Sequence, residues 1–459
     1  MELSKRKGTV VVYLALFMVA FLIVCALVTD IGFLYYRRAQ AQKAADLSAL
    51  AGASRLPDEF AARAVALEYA ARNGYPHGVN GVVVETMVNP DGEHPNWFLV
   101  RVSRPEPFFF ASILGLFNRR ISAAAIAEYQ TAVGIDVYGM GEYGVLGPVN
   151  LSVFGPYAYY SYGDAFSTRW LDDGSPNPRY NEHGYDFAIL IPENYSAING
   201  TNMVMVEIFD PDCYNSSAGG GNPNNANGTT RVDEIRTAPP LPHPQPATVY
   251  TTTVYTLYWT NGTPRDLSDD IPIAQVSYGY DSSTDMKWVA PPGFTFNLAT
   301  YGPGMYRLNV RTIEGSSENG FLVRAGPPRS GNEPFNPNNG TKIIAVGRIP
   351  INFNTSGTVE IRLGYVPDSA AGGKLYIDKF DTDVAAVSVT YKCDALPGSW
   401  PGKLAGNGLW ERDIIELPAN YPGGIWTARY QAGVQDTSVW TMYYTRIDEG
   451  MPGTIRLVE

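Results

Sequence analysis

Thr9-Val10-Val11-Val12-Tyr13-Leu14-Ala15-Leu16-Phe17-Met18-Val19-Ala20-Phe21-Leu22-Ile23-Val24-Cys25-Ala26-Leu27-Val28-Thr29 carries no charge. As a helix it reaches about 30 Å, the thickness of a hydrocarbon core. Apolar side chains occupy every face, as lipid requires. Lys5-Arg6-Lys7 precede the run, Asp30 closes it, and Arg37-Arg38 follow. The run exceeds a usual signal-peptide core, and Ala39-Gln40-Ala41 lies too far on to serve as its cleavage site, so it reads as a retained anchor. Cys25 lacks the small preceding residue of a lipoprotein box, because Val24 stands there.

Outward from this stretch the charges give an orientation. Three cations abut the N-terminal side, which predicts a short cytoplasmic tail and an extracytoplasmic remainder. Residues 1–55 carry net +4, which leaves −15 on the rest of a chain whose total is −11. An acidic exported part argues against nucleic acid and anionic surfaces as partners. No proline interrupts Thr9–Ser54, so one long helix is predicted, half in lipid and half projecting. Ala41, Ala45, Ala49 and Gly52 form a stripe of small residues. It fits either packing on the chain's own globular part or contact between neighbouring subunits.

Lys7-Gly8, the apolar span, Asp30-Ile31-Gly32, Arg37-Arg38 and Gln42-Lys43-Ala44-Ala45-Asp46-Leu47-Ser48-Ala49-Leu50-Ala51-Gly52-Ala53 together resemble the N-terminal segment of TadE/TadG-like Flp pilus-assembly proteins. Pro107-Phe108-Phe109-Phe110-Ala111-Ser112-Ile113-Leu114-Gly115 extends the likeness. The resemblance implies a bitopic protein of the tight-adherence pilus machinery, whose partners are membrane lipid and other pilus or envelope proteins. Prepilins cut after a glycine carry a glutamate five residues on; here that residue is Tyr13.

The fold class expected is mixed α+β and mostly β. The expected parts are an anchor and projecting helix over 1–57 and a small α+β domain over 58–144. Two related antiparallel β-sandwiches over 145–330 and 331–459 complete the chain. Asp58-Glu59 and Asn73-Gly74 bound a helix, and Phe108–Phe117 reads as a short buried helix. From residue 145 short β-rich runs alternate with turn residues. Two markers recur in the same order. Ile189-Leu190-Ile191-Pro192 before Val206–Asp212 matches Leu363–Pro367 before Tyr376–Asp383. Leu298–Arg307 then matches Leu417–Trp426. Asn215–Pro246 reads as an insertion too poor in apolar residues to pack.

Chemistry is sparse. His77, His94, His183 and His243 are scattered, and no zinc helix, nucleophile elbow or Walker loop occurs. Gly139-Met140-Gly141-Glu142-Tyr143-Gly144 leads into Val145-Leu146-Gly147-Pro148, a poor helix start, so it reads as a join rather than a dinucleotide site. No catalytic or cofactor-binding residue is predicted. Asp210 and Asp212, like Asp381 and Asp383, follow a strand at alternate positions. That spacing fits calcium and equally fits aspartates bonding their own turn backbone. Cys213 and Cys393 either pair as a disulfide between the sandwiches or remain free. Tyr157, Tyr159, Tyr160 and Tyr162 fit sandwich filling or a sugar platform. The functional expectation is a noncatalytic, membrane-anchored pilus-assembly component. The alternatives are a filament subunit assembled through the N-terminal helix and a carbohydrate-binding adhesin.

Overall fold

A computed structural model describes residues 3–458 except 93, 95, 116, 138–148, 157–159, 161–163, 214–250, 265, 280–282, 285–286, 331–332, 354–356, 382–385, 407, 433–435 and 446–452. The chain forms two units, residues 1–130 with 454–459, and residues 131–453.

In the first unit, α1 (Leu3–Ala53) is one uninterrupted helix, about 75 Å long at 1.5 Å per residue. Asp58 caps α2 (Glu59–Arg72), accepting from the Ala61 N–H at 2.9 Å, and Asn73 ends it. These are the bounds the capping residues indicated. The strands β1 (Val83–Val88), β2 (Trp97–Pro107) and β3 (Asn118–Val133) pair antiparallel in that order. Phe98, Val100 and Val102 alternate onto the buried face of β2, and Ile121, Ala123, Ala125 and Ala127 onto that of β3. The small-residue stripe of α1 is consumed here. Ala41, Ala45, Ala49 and Gly52 are buried within the unit, as are Ala62, Ala66 and Ala70 of α2. A Cβ at Gly52 would overlap the Phe98 ring.

Phe108–Phe117 departs from the expected buried helix. It forms a single 3₁₀ turn, Ala111–Leu114, closed by Gly115 at φ +84°. Phe109, Phe110, Ile113 and Phe117 are exposed. The segment is the tip of the β2–β3 hairpin, whose strands stay paired as far as Pro107 opposite Asn118, so the chain makes one turn and Gly115 ends it.

The second unit opens with β4 (Ile135–Asp136). After it come β5 (Val149–Val153), β6 (Tyr185–Ile191), helix α3 (Tyr195–Asn199), β7 (Met203–Phe209), β8 (Thr252–Trp259) and β9 (Ile271–Tyr278). Next are β10 (Trp288–Val289), β11 (Thr295–Asn297), helix α4 (Leu298–Tyr301), β12 (Gly304–Glu314), β13 (Ser317–Gly326) and β14 (Lys342–Val346). One sheet runs β5-β13-β7 with β10 and β11 on the far side of β7. The other runs β6-β12-β8-β9.

The chain then repeats the pattern with β15 (Arg348–Phe353), β16 (Thr358–Val366), β17 (Lys374–Asp381), β18 (Ala386–Cys393), β19 (Trp400–Gly402), β20 (Trp410–Glu416), β21 (Gly424–Ala432) and β22 (Asp436–Tyr444). Its sheets are β15-β22-β17-β20 and β16-β21-β18-β19. Strand for strand the two halves have one topology. Counting β10 with β11 as one position, each half orders its strands 1-8-3-6 and 2-7-4-5, the double-sheet jelly roll. The repeated markers fall at equivalent places. Pro192 and Pro367 end the second strand of each roll, and Tyr306 and Trp426, both fully buried, stand in the seventh. Facing sheets meet through rings: Phe187 on Phe321 at 5.6 Å in the first roll, Phe353 on Tyr430 at 4.0 Å in the second.

The rolls do not divide at 330/331. β14 pairs with β6 and completes the first roll before β15 begins the second. Residues 327–341 have a linker's composition but are tied back. Asn339 Nδ2 and Thr341 Oγ1 both donate to the Ala325 carbonyl, and Arg329 pairs with Glu207. β5 and β15 pair edge to edge, Ile351 opposite Leu151. One continuous sheet therefore crosses both rolls. The last strand, β23 (Gly453–Leu457), leaves the second roll and pairs with β3. Arg456 pairs there with Glu128 at 2.9 Å. The join at 139–148, the insertion at 215–246, His243, Tyr157, Tyr159, Tyr162 and Asp383 lie outside the described residues.

Candidate functional site

The site with the most defined chemistry is where α1 changes character. From Val10 to Val28 its large apolar side chains are each at least half exposed. This window has a mean hydropathy of 3.0 and none of it is buried. At Asp30 the helix begins to pack. The Asp30 carboxylate, 2% exposed, accepts from three consecutive backbone N–H groups: Phe109 at 2.8 Å, Phe110 at 3.1 Å and Ala111 at 2.7 Å. Those donors open the 3₁₀ turn and have no partner inside it. A single carboxylate thus satisfies the turn and pins it to the helix. One turn further along α1, the Phe33 ring meets Phe109 edge-on at 4.8 Å, and Arg37 stacks on Phe33 at 4.9 Å. Arg37 also faces the buried Glu106 at 3.6 Å, which Arg104 clasps from its own strand. Tyr75 donates to the Arg37 carbonyl at 3.3 Å. Burial pushes the Tyr75 hydroxyl above its ordinary value, and the Glu106 charge adds to that against Arg104 and Arg37.

Two family models match this region. Residues 8–55 match the family described as putative Flp pilus-assembly TadE/G-like, and residues 51–127 match putative Tad-like Flp pilus-assembly. Residues 8–127 are thus similar to Flp pilus-assembly proteins. These matches support a role in pilus assembly. They end within β3, so the jelly rolls lie beyond the Tad-like segment. No curated protein matches the chain. Among solved structures, a crystal structure of the GH31 alpha-xylosidase from Xanthomonas citri aligns at 9% identity and a TM-score of 0.09. The alignment covers 80% of this chain and 28% of that one, and a score so low carries no argument.

Outside the Tad-like segment, the residues singled out by sequence fall into structural surroundings. Asp210 and Asp212 are fully buried in the turn after β7, with Asp210 at φ +54° and Cys213 at φ +52°. Asp381 ends β17. Among the described residues, no three His, Cys, Asp or Glu side chains gather as a metal cluster. Of the two readings left open for Cys213 and Cys393, the structure has both as free thiols. Each is buried in its own roll beside a tyrosine, Cys213 against Tyr255 Oη at 3.4 Å and Cys393 against Tyr421 Oη at 3.9 Å. Burial pushes the Cys213 thiol well up, and the charges of Asp210 and Asp212 push it the same way. Tyr160 fills space against Phe380 at 5.3 Å.

Sequence reading missed a polar cleft of about 470 Å³ on the outer face of β12. Asn181, His183, Tyr258, Asp270, Arg307 and Asn309 line it. Arg307 is buried and pairs with Asp270 at 2.7 Å. His183 bonds Asp186 at 2.7 Å, and this hydrogen bond raises the imidazole above its ordinary value against desolvation. The one sequence signal was the alternation Arg307, Asn309, Arg311 across a strand whose other face is apolar.

Proposed function

We propose that this chain is a noncatalytic, single-pass component of Flp-type pilus assembly. Its N-terminal tail is cytoplasmic. Its jelly rolls stand on the other side of the membrane and bind other pilus or envelope proteins. The observation that carries this reading is the switch in α1 at Asp30. The helix is bare and apolar before it and packed on its own domain after it, within the segment that matches the pilus-assembly families. A span of this length matches a bilayer core. Against the filament-subunit alternative, the small-residue stripe offered for contact between subunits is buried within the chain. The test is fractionation of the native cells together with deletion of the gene. Recovery in salt-washed membranes and loss of pili on deletion are expected; recovery in sheared pili instead would favour the filament subunit.

A second reading, a carbohydrate-binding surface protein, is favoured by the polar cleft beside Arg307, since lectins also use jelly rolls. Binding of any sugar on a glycan array, abolished by Tyr258→Ala, would support it; silence of the whole array would end it.

A further inference from the structure

We propose that the 108–117 loop is a second membrane contact, a wedge that enters the interfacial layer of the leaflet at which the α1 span ends. The inference rests on residues 9–29 spanning a bilayer. Four large apolar side chains are exposed within ten residues: Phe109 54%, Phe110 46%, Ile113 84% and Phe117 69%. Water is a poor solvent for such a cluster, and a soluble domain rarely presents one without a partner.

What selects lipid as that partner is position. Backbone N–H groups of Phe109, Phe110 and Ala111 are bound to Asp30, the first residue beyond the uncharged run. The loop is therefore held at the depth where the hydrocarbon gives way to headgroups. Its surroundings suit that depth. Tyr35 and Tyr36 of α1 are exposed just past Asp30, where aromatic residues with a polar tip are favoured. Arg38 of α1 and Arg119 and Arg120 of β3 are exposed and suit lipid phosphates. Gly115, in the left-handed region, turns the chain back so that Ile113 and Phe117 belong to one short hairpin tip. A shallow apolar tip flanked by cations is how interfacial elements bind without crossing. With the span it gives the first unit two attachments, which fixes its tilt and rotation on the surface.

The experiment uses the full chain in vesicles of phosphatidylethanolamine and phosphatidylglycerol. A nitroxide is placed on native Cys25 in one sample. In two others it is placed on Ile113→Cys or Met87→Cys, each with Cys25→Ala. Cys213 and Cys393 are buried, and the Cys25→Ala chain serves as the blank for any label they take up. Collision of the label with oxygen, which concentrates in lipid, is compared with collision with a water-soluble nickel complex. The expected result is an oxygen-to-nickel ratio at position 113 several-fold above that at position 87, approaching that at Cys25. A ratio at 113 equal to that at 87, with Cys25 still oxygen-favoured, overturns the wedge and leaves the anchor standing. Shielding of 113 from both reagents also overturns it, because protein then covers the tip. A nickel-favoured Cys25 overturns the anchor reading itself.

Discussion

Asp30 concentrates in one side chain the task of joining helix to turn. Asp30→Ala removes the acceptor from three N–H groups, while Asp30→Asn keeps one acceptor oxygen and loses the charge. The expected order of melting temperature in detergent is wild type, then Asn, then Ala, with proteolytic cleavage at 108–117 rising in the same order. Equal cleavage in all three would show the turn to be held by Phe33 packing instead. Gly52 makes a sharper case. A methyl there overlaps the Phe98 ring, so Gly52→Ala is expected to destabilise the first unit by about 1–3 kcal/mol. Phe98→Leu, costly alone, should recover part of that loss in the double variant; chemical unfolding measures the coupling. In the second roll, Lys379 is buried with Asp413 and Tyr391, whose hydroxyl donates to the same carboxylate at 2.6 Å. Desolvation lowers the Lys379 ammonium against the pull of Asp413. Lys379→Met strands a buried carboxylate and is expected to cost about 3–5 kcal/mol. His183 supplies the pH dependence. Its folded value is raised by Asp186, so its contribution is complete below about 6.5, the ordinary imidazole value, and fades as pH rises through the folded value. The melting-temperature difference between wild type and His183→Gln should shrink from pH 6 toward alkaline pH, within a scan in about one-unit steps. A constant difference would remove the assignment.

Among the elements, the long helix and its neighbour were legible because caps and hydropathy act locally: Asp58, Asn73 and the uncharged span each announce themselves. The β runs from Tyr185 to Val366 were legible for the same reason, and the duplicated markers pointed to two related folds. Three things were not. Phe108–Phe117 looked buried because apolar residues in a water-facing domain normally are, and nothing local says that a carboxylate 79 positions upstream holds the turn. The boundary near 330 looked like a linker because Asn, Pro and Gly mark flexible chain, yet Asn339 and Thr341 use that polarity to bind the Ala325 carbonyl. The cleft was hidden because His183, Tyr258, Asp270 and Arg307 come from separate strands and loops. The fused edges give a prediction at this scale. Fragments cut at 330/331 leave β5, β6 and β15 with open edges. They are expected to aggregate, whereas 131–453 should remain soluble and unfold in a single calorimetric transition. Two soluble, independently melting fragments would contradict the shared sheet.

Taken whole, the chain joins a segment that matches the pilus-assembly models to a duplicated pair of rolls that those models do not reach. The two jelly rolls share the hydrogen-bonded run β11-β7-β13-β5-β15-β22-β17-β20. At about 4.8 Å between neighbouring strands that ribbon is about 34 Å wide. No hinge can operate between the rolls without breaking the β5–β15 ladder. Whatever spans both rolls would therefore meet two surfaces at a constant separation, like the jaws of a locked calliper.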